Sequence, residues 1–267
     1  EHAEMVIDNG CHGAAIFGST GQAQLISISE KINLFNQLSK SKYREKYIIG
    51  TGLNSLSETI NLMNVARSLN FKKFLIMPPA FYKYSDKNVI QFYSKIIDAN
   101  PDCEIVLYNF EKLCGYKFSV ECVQELVKLF PEQIIGVKDS SYNLFENIKI
   151  DNFSILPGSE SKLLKGLELG CSGIITATCN ITSALARKVY DDFFDKKEQT
   201  ANQKLCDVRN TFEKYNLISG LHSYYSKNDL IYKNVLPPLS ILNSKEEKEL
   251  IGNLEKLNFS TKPIMAA

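Results

Sequence analysis

The sequence lacks any imbalance of charge. Lys plus Arg number 31 and Asp plus Glu 30 among 267 residues, a net charge of +1. No excess of positive charge therefore points to nucleic acid or to an anionic membrane. It also lacks an apolar run long enough to span a bilayer, which takes about 20 residues. Histidine is scarce: His2, His12 and His222 make no metal-ligand cluster, so no metal is expected. The seven cysteines (Cys11, Cys103, Cys114, Cys122, Cys171, Cys179, Cys206) are scattered, odd in number and without a CxxC pair. They read as reduced thiols, mostly small buried hydrophobes, in a cytoplasmic protein. No glycine-rich dinucleotide turn follows any candidate strand, which counts against an open doubly wound sheet.

What is present is alternation. The chain is 44% hydrophobic and 23% charged, enough for one sizeable core. Short apolar runs at 14–18, 47–51, 74–77, 105–108, 134–138, 154–156 and 173–176 read as strands, each followed by a helical pattern. Ser27-x-x-Glu30 and Ser55-x-x-Glu58 are capping boxes, and Ile28, Ile32, Phe35 and Leu38 recur at helical spacing behind the first. Such repetition predicts a parallel sheet wrapped by helices. Seven strands are one short of a closed barrel. Residues 2–9 read as a helix and Glu1 is not a methionine, so the first strand is expected upstream of the given chain. The expected fold is α/β: a (β/α)8 TIM barrel over 1–180 lacking strand 1, followed by 181–267 as the last barrel helix and a C-terminal helical extension. In that part, 181–196, 198–215 and 217–232 read as helices, Val235-Leu-Pro-Pro-Leu239 breaks the pattern, and Ser244-x-x-Glu247 caps a last helix.

The candidate chemistry sits at strand ends. In Ile134-Ile-Gly-Val-Lys-Asp139 a lysine stands where an apolar run turns polar. Lys138 is either a side chain leaving the sheet for solvent or an ion pair, or an amine held in an apolar mouth. A free lysine amine has a pKa near ~10.4; burial that brings one to ~7–8 makes it a nucleophile that condenses with ketones. Gly18-Ser-Thr-Gly-Gln22 is either an ordinary β–α turn or a backbone cradle for an anion, with Ser19 and Thr20 supplying hydroxyls. Tyr108 is a core aromatic or a proton shuttle. Residues Pro157-Gly-Ser-Glu160 and Gly173-Ile-Ile-Thr-Ala-Thr-Cys-Asn180 end the last two strands and are open to either reading. In a barrel all of these ends share one face.

Taken together and in order, Gly18-Ser-Thr-Gly21, Tyr108-Asn109, Gly136-Val-Lys-Asp139, Gly158-Ser-Glu160 and residues 173–180 resemble the dihydrodipicolinate synthase/N-acetylneuraminate lyase family of class I pyruvate-dependent aldolases. The resemblance runs over essentially the whole chain. It implies that Lys138 is the Schiff-base lysine and that Tyr108 relays protons with Ser19 beside it. It implies that Thr20 grips the substrate carboxylate and that Ile175 lines the pyruvate site. Gly158, Ser159 and Glu160 become candidates for the hydroxyls of a sugar-acid chain, Glu160 being otherwise an exposed charge at a helix start. The imine would serve as an electron sink, and no cofactor is implied.

Two departures bear on the substrate. Leu113 stands where the lysine-pathway synthase carries an arginine four residues after Tyr-Asn, and Lys112 is no bidentate fork. The relay tyrosine lent by a neighbouring subunit falls at Phe81, with Tyr82 one residue late. Both departures favour a sugar-acid aldolase of the neuraminate or 2-keto-3-deoxygluconate kind, taking pyruvate and an aldehyde, over 4-hydroxy-tetrahydrodipicolinate synthesis. A non-catalytic barrel that senses a keto acid is the rival from outside the enzymes. A homotetramer built from two dimers is carried over as an expectation.

Overall fold

The structure is a computed structural model and describes residues 1–261. Its secondary elements run α1 (His2–Asp8), β1 (Ala14–Ile16), α2 (Ile28–Leu38), β2 (Tyr47–Gly50), α3 (Leu56–Ser68), β3 (Lys73–Ile76), α4 (Asp86–Ala99), β4 (Glu104–Asn109), α5 (Glu111–Cys114), α6 (Val120–Leu129), β5 (Ile134–Asp139), β6 (Ser154–Pro157), α7 (Leu163–Glu168), α8 (Cys179–Phe194), α9 (Asn202–Glu213), α10 (Leu217–Ser226) and α11 (Ser244–Lys256). They fall into two compact units. One comprises His12–Gly158 and Lys165–Ile175; the other comprises Glu1–Cys11, Ser159–Leu164 and the chain from Thr176 on.

The first unit holds one sheet of six parallel strands in sequence order, β1 to β6. Parallel neighbours need a crossover; α2, α3, α4 and α6 provide it from β1 to β5, and residues 140–153 join β5 to β6 without a helix. One sheet face carries Ile49, Phe74, Ile76, Ile105, Leu107 and Val137, all fully buried. The other carries Leu75, Val106 and Tyr108, with Ala15, Ile48, Met77 and Leu156 packed against them and only partly buried. Gly136 is required by close pairing: a Cβ there would meet Ser154 O at 2.5 Å. The capping-box expectation holds in full at Ser27, where the reciprocal box with Glu30 forms, and by half at Ser55, whose side chain accepts from Glu58 N without the returning bond. Behind Ser27 only Phe35 of the four expected apolar positions is fully buried. Lys31 is buried beside it, its ammonium 5.8 Å from the centre of the Phe17 ring, and burial lowers its pKa.

Residues 173–176 are not a strand, contrary to the sequence pattern. The segment is tied to β6 at two points, Ser172 N–H to Ile155 O and Ile175 N–H to Pro157 O, both 3.1 Å. Gly173, at φ +144°, turns the backbone out of the β region between them. The sheet of the described residues is therefore six strands rather than seven.

The second unit has its own core. Ile181, Val208, Phe212, Leu221, Tyr224, Tyr225, Leu242, Leu250 and Leu254 form one buried cluster, with Met5 of α1 packed against it. That contact explains why a helix at the chain's start groups with helices near its end. The last helix is capped one residue earlier than the sequence suggests: Asn243, not Ser244, accepts from Lys245 N and Glu246 N, and Glu246 closes the box. Both residue types cap helices, and asparagine took the position. Among the described residues no helix is long and apolar enough to cross a membrane.

Candidate active site

Three of the expected residues meet on the less buried face of the sheet. Lys138, on β5, is only 8% exposed, and its Nζ stands 4.1 Å from the centre of the Tyr108 ring. Tyr108 Oη lies 3.2 Å from Ser19 Oγ, in the turn after β1. The two strand residues face each other because they are register partners, Tyr108 with Lys138. That pairing depends on an irregularity. Ile105 pairs with Ile134 but Val106 pairs with Gly136, so β5 takes in one extra residue. Without the shift Tyr108 would stand opposite Val137 and its lysine partner would be on the other face.

The next register pair, Asn109 and Asp139, locks the arrangement. Both are fully buried. Asp139 Oδ1 accepts from Asn109 Nδ2 at 2.8 Å and Tyr142 N at 2.9 Å, and Oδ2 accepts from Leu144 N at 2.9 Å and Phe145 N at 3.0 Å. Asn109 Nδ2 also donates to Asn143 Oδ1 at 2.8 Å, while Asn109 Oδ1 accepts from Phe118 N at 3.1 Å. Asn143 Nδ2 completes the circuit on Phe118 O. The carboxylate thus pins the start of the chain after β5 and fixes the strand end from which Lys138 projects. Sequence reasoning assigned no task to Asp139 or Asn143. The signal was there in part, as an acid and an amide following Lys138 and Tyr108 directly.

The turn carrying Ser19 and Thr20 is built differently from its glycine content. The left-handed residues are Phe17, at φ 59°, and Gln22, at φ 55°, not Gly18 or Gly21. Gln22 N–H closes the turn on Ser19 O at 3.0 Å, and both hydroxyl residues are half-buried. Gly158 follows β6, its N–H donates to Asp139 O at 2.9 Å, and a Cβ there would meet Ser140 Oγ at 2.3 Å. Ile175 is half-buried and spends its N–H on Pro157 O. Thr51, at the end of β2, has a buried hydroxyl without a hydrogen-bond partner. It was not anticipated.

Ser159 and Glu160 belong to the second unit. Ser159 is buried, and its Oγ contacts Ser161 Oγ at 3.0 Å. Glu160 is fully buried, which corrects the reading of an exposed helix-start charge. Its carboxylate accepts from Thr176 Oγ1 at 2.8 Å, Thr178 Oγ1 at 2.9 Å and Thr182 Oγ1 at 3.1 Å, and pairs with Arg209 Nη1 at 3.4 Å. A buried charge must be neutralised and solvated from within, and these four groups do so. Tyr82 and Phe81, between β3 and α4, are 77% and 90% exposed, with Phe81 at φ 77°.

Residues 1–257 match the dihydrodipicolinate synthetase family. The chain belongs to this family. It is 28% identical to a Chloroflexus aurantiacus protein named as an uncharacterized DapA-like lyase, over 98% of this chain and 90% of that one. It is 29% identical to the 4-hydroxy-tetrahydrodipicolinate synthase of Listeria monocytogenes, covering 95% and 89% of the two chains. It is 25% identical to a 2-dehydro-3-deoxy-D-gluconate/2-dehydro-3-deoxy-phosphogluconate aldolase of Picrophilus torridus, over 83% and 85%. Among solved structures, YagE of E. coli K12, a dihydrodipicolinic acid synthase family protein in complex with pyruvate, superposes with a TM-score of 0.84 at 22% identity, over 97% of this chain and 91% of its own. That likeness shows the shared α/β TIM-barrel-type fold. Synthase and sugar-acid aldolase both occur among the relatives, so membership of the family does not choose between them. Among the described residues, no group of three or more His, Cys, Asp or Glu is placed to hold a metal.

Proposed function

We propose that the protein is a Schiff-base-forming, pyruvate-dependent aldolase that reversibly cleaves a 2-keto-3-deoxy sugar acid to pyruvate and an aldehyde, on a (β/α)8 barrel with a C-terminal helical extension. The observation that carries this reading is the buried amine of Lys138 over the Tyr108 ring, with the Ser19 hydroxyl on the phenol. In this reading the neutral amine adds to the keto carbon, the carbinolamine loses water, and a protonated imine forms. The hydroxyl on C4 of the sugar acid then gives up its proton, the C3–C4 bond breaks, and its electron pair enters the imine to leave an enamine and a free aldehyde. Protonation of the enamine and hydrolysis return pyruvate and the lysine. Tyr108 and Ser19 form a two-hydroxyl path for those protons, and Thr20 holds the carboxylate.

Leu113, 44% exposed on α5, favours the sugar-acid branch. A leucine offers neither charge nor hydrogen bond to the distal carboxylate of aspartate semialdehyde. Gly158, Ser159 and Ile175 are assigned to the substrate-lining backbone, whereas the Thr and Arg209 donors around Glu160 make its contribution indirect. Tyr82, exposed, is available to a second subunit of a homotetramer. The protein is assigned to the cytoplasm, works without a cofactor, and has pyruvate and an aldehyde as its partners.

Borohydride reduction in the presence of pyruvate tests the chemistry. The expected result is a mass increase of about 72 Da on the peptide containing Lys138, corresponding to a reduced pyruvate imine. Protein that binds pyruvate but shows no adduct would be a keto-acid sensor instead. A panel of aldehydes, including aspartate semialdehyde, then separates the two enzymatic branches. Fast condensation of aspartate semialdehyde with pyruvate would replace the aldolase reading with the synthase.

A further inference from the structure

The candidate active site uses only the carboxyl ends of the strands. The opposite ends of β2, β3 and β4 border a cleft of about 240 Å3. Its lining is mostly charged: Arg44 and Glu45 stand just before β2, Lys72 and Lys73 at the start of β3, and Glu104 at the start of β4. Buried Tyr47 and Phe71 also line it. Lys73 and Glu104 are register partners, so neighbouring strands present them side by side. Alternation puts both on the sheet face that carries Leu75, Val106 and Tyr108. Along β4, Glu104 and Tyr108 are separated by roughly 13 Å of extended chain, with the apolar Leu75 and Val106 in between. The cleft is therefore a place apart from Lys138, Tyr108 and Ser19.

The charges in the cleft are unequally committed. Arg44 donates from Nε and Nη2 to Glu45 Oε1, at 3.1 and 2.7 Å, so these two largely cancel, and Arg44 Nη1 stays uncommitted. Among the described residues the ammonium groups of Lys72 and Lys73 enter no ion pair or hydrogen bond, nor does the Glu104 carboxylate. Three cations against two carboxylates leave one net positive charge, carried on two adjacent uncommitted lysines. Charge of one sign on a concave wall concentrates the field and draws anions into it.

The chemistry of the wall selects among anions. Lysine meets phosphate as a point charge, and the planar arginine fork meets it through paired N–H groups. A phosphate monoester carries about −1.5 to −2 near pH 7, so two ammonium groups attract it more than they attract a singly charged carboxylate such as pyruvate. The volume limits the rest of the ligand, since sites for drug-sized molecules typically hold about 300–1,000 Å3. We propose that this cleft is a second binding site, which takes the phosphate group of a small phosphate monoester on Lys72, Lys73 and Arg44.

The probe is glycerol 3-phosphate, titrated calorimetrically into the full chain at about 50 mM salt, where charge pairing is only partly screened. The expected result is saturable binding at one site per chain, absent with glycerol and weakened as salt rises. A charge-assisted hydrogen bond is worth roughly tenfold or more in affinity, so Lys72→Gln/Lys73→Gln should weaken binding by at least about tenfold. Lys72 is exposed, so Lys72→Gln alone carries the test should the double variant fail to fold. Glu104→Gln removes the opposing charge and should tighten binding. Lys138→Met should leave it unchanged, which separates the cleft from the candidate active site. The proposal is overturned if glycerol 3-phosphate shows no saturable binding, or if the lysine variants bind it as the wild type does. It is equally overturned if Glu104→Gln fails to tighten the binding or Lys138→Met abolishes it.

Discussion

Asp139→Asn is the substitution that most directly probes how the candidate site is held. The wild-type carboxylate accepts four buried N–H groups: Asn109 Nδ2 and Tyr142 N on one oxygen, Leu144 N and Phe145 N on the other. An amide of the same shape keeps one acceptor and turns the second oxygen into a donor. Whichever way it flips, two donors face an NH2 group and lose their partner. A buried donor left unsatisfied costs about 1–3 kcal/mol, so the pair costs roughly 2–5 kcal/mol after allowing for partial relaxation. Urea unfolding read by circular dichroism measures it as a lower midpoint at unchanged slope. The same substitution loosens the strand end bearing Lys138. Imine trapping with pyruvate and borohydride is therefore expected to slow by at least about tenfold in protein that is still folded, a factor worth about 1.4 kcal/mol. A variant that loses less than about 1 kcal/mol and traps pyruvate at the wild-type rate would refute the view that this carboxylate organises the site.

Tyr108→Phe removes the hydroxyl but keeps the ring beside Lys138. Turnover should fall by about 10²–10⁴-fold while the reduced pyruvate adduct on Lys138 still forms, as kinetics and mass measurement would show. Gly136→Ala places a Cβ against Ser154 O at 2.5 Å, and the strain should destabilise the protein by about 1–3 kcal/mol in denaturant titration. Arg209→Met strips the cation from buried Glu160 and is expected to cost about 3–5 kcal/mol, with Arg209→Met/Glu160→Gln recovering part of the loss in a double-mutant cycle. His2, bonded through Nε2 to Asn180 Oδ1 and through Nδ1 to Tyr232 Oη, has its pKa lowered chiefly by burial. The unfolded chain then binds this proton more tightly than the folded one. Its contribution is fully present above about pH 6.5 and is lost as pH falls through the depressed folded value. The midpoint of thermal unfolding should drop more steeply below pH 6.5 in the wild type than in His2→Gln.

Much of the sheet was legible because its strands advertise themselves. Runs at 47–51, 105–108 and 134–138 match β2, β4 and β5 to within a residue, as expected for apolar segments bounded by turn residues and buried on both faces. The segment at 173–176 was equally apolar, but one glycine at φ +144° removed it from the ladder, and a backbone dihedral leaves no trace in hydropathy. Glu160 was open to two readings, a substrate contact or an exposed helix-start charge, and its burial overturns the second. Nothing local to residues 157–162 says that its countercharge arrives from Arg209, 49 positions downstream, so there was no ground in the sequence alone for setting the exposed reading aside.

The site itself shows how far composition and spacing can reach. Each of Ser19, Tyr108 and Lys138 was identifiable as a polar residue at the end of an apolar run, but their approach depends on a one-residue register shift between β4 and β5. Side chains on a strand alternate faces, so slipping by a single position would send Lys138 to the opposite face of the sheet and leave Tyr108 facing Val137. The shift also aligns Asn109 with Asp139, whose hydrogen bonds then hold the strand ends in that relation. One irregularity thus sets both the Tyr108–Lys138 pairing and the clamp that fixes it, which is why a substitution in the clamp is expected to be felt at the amine.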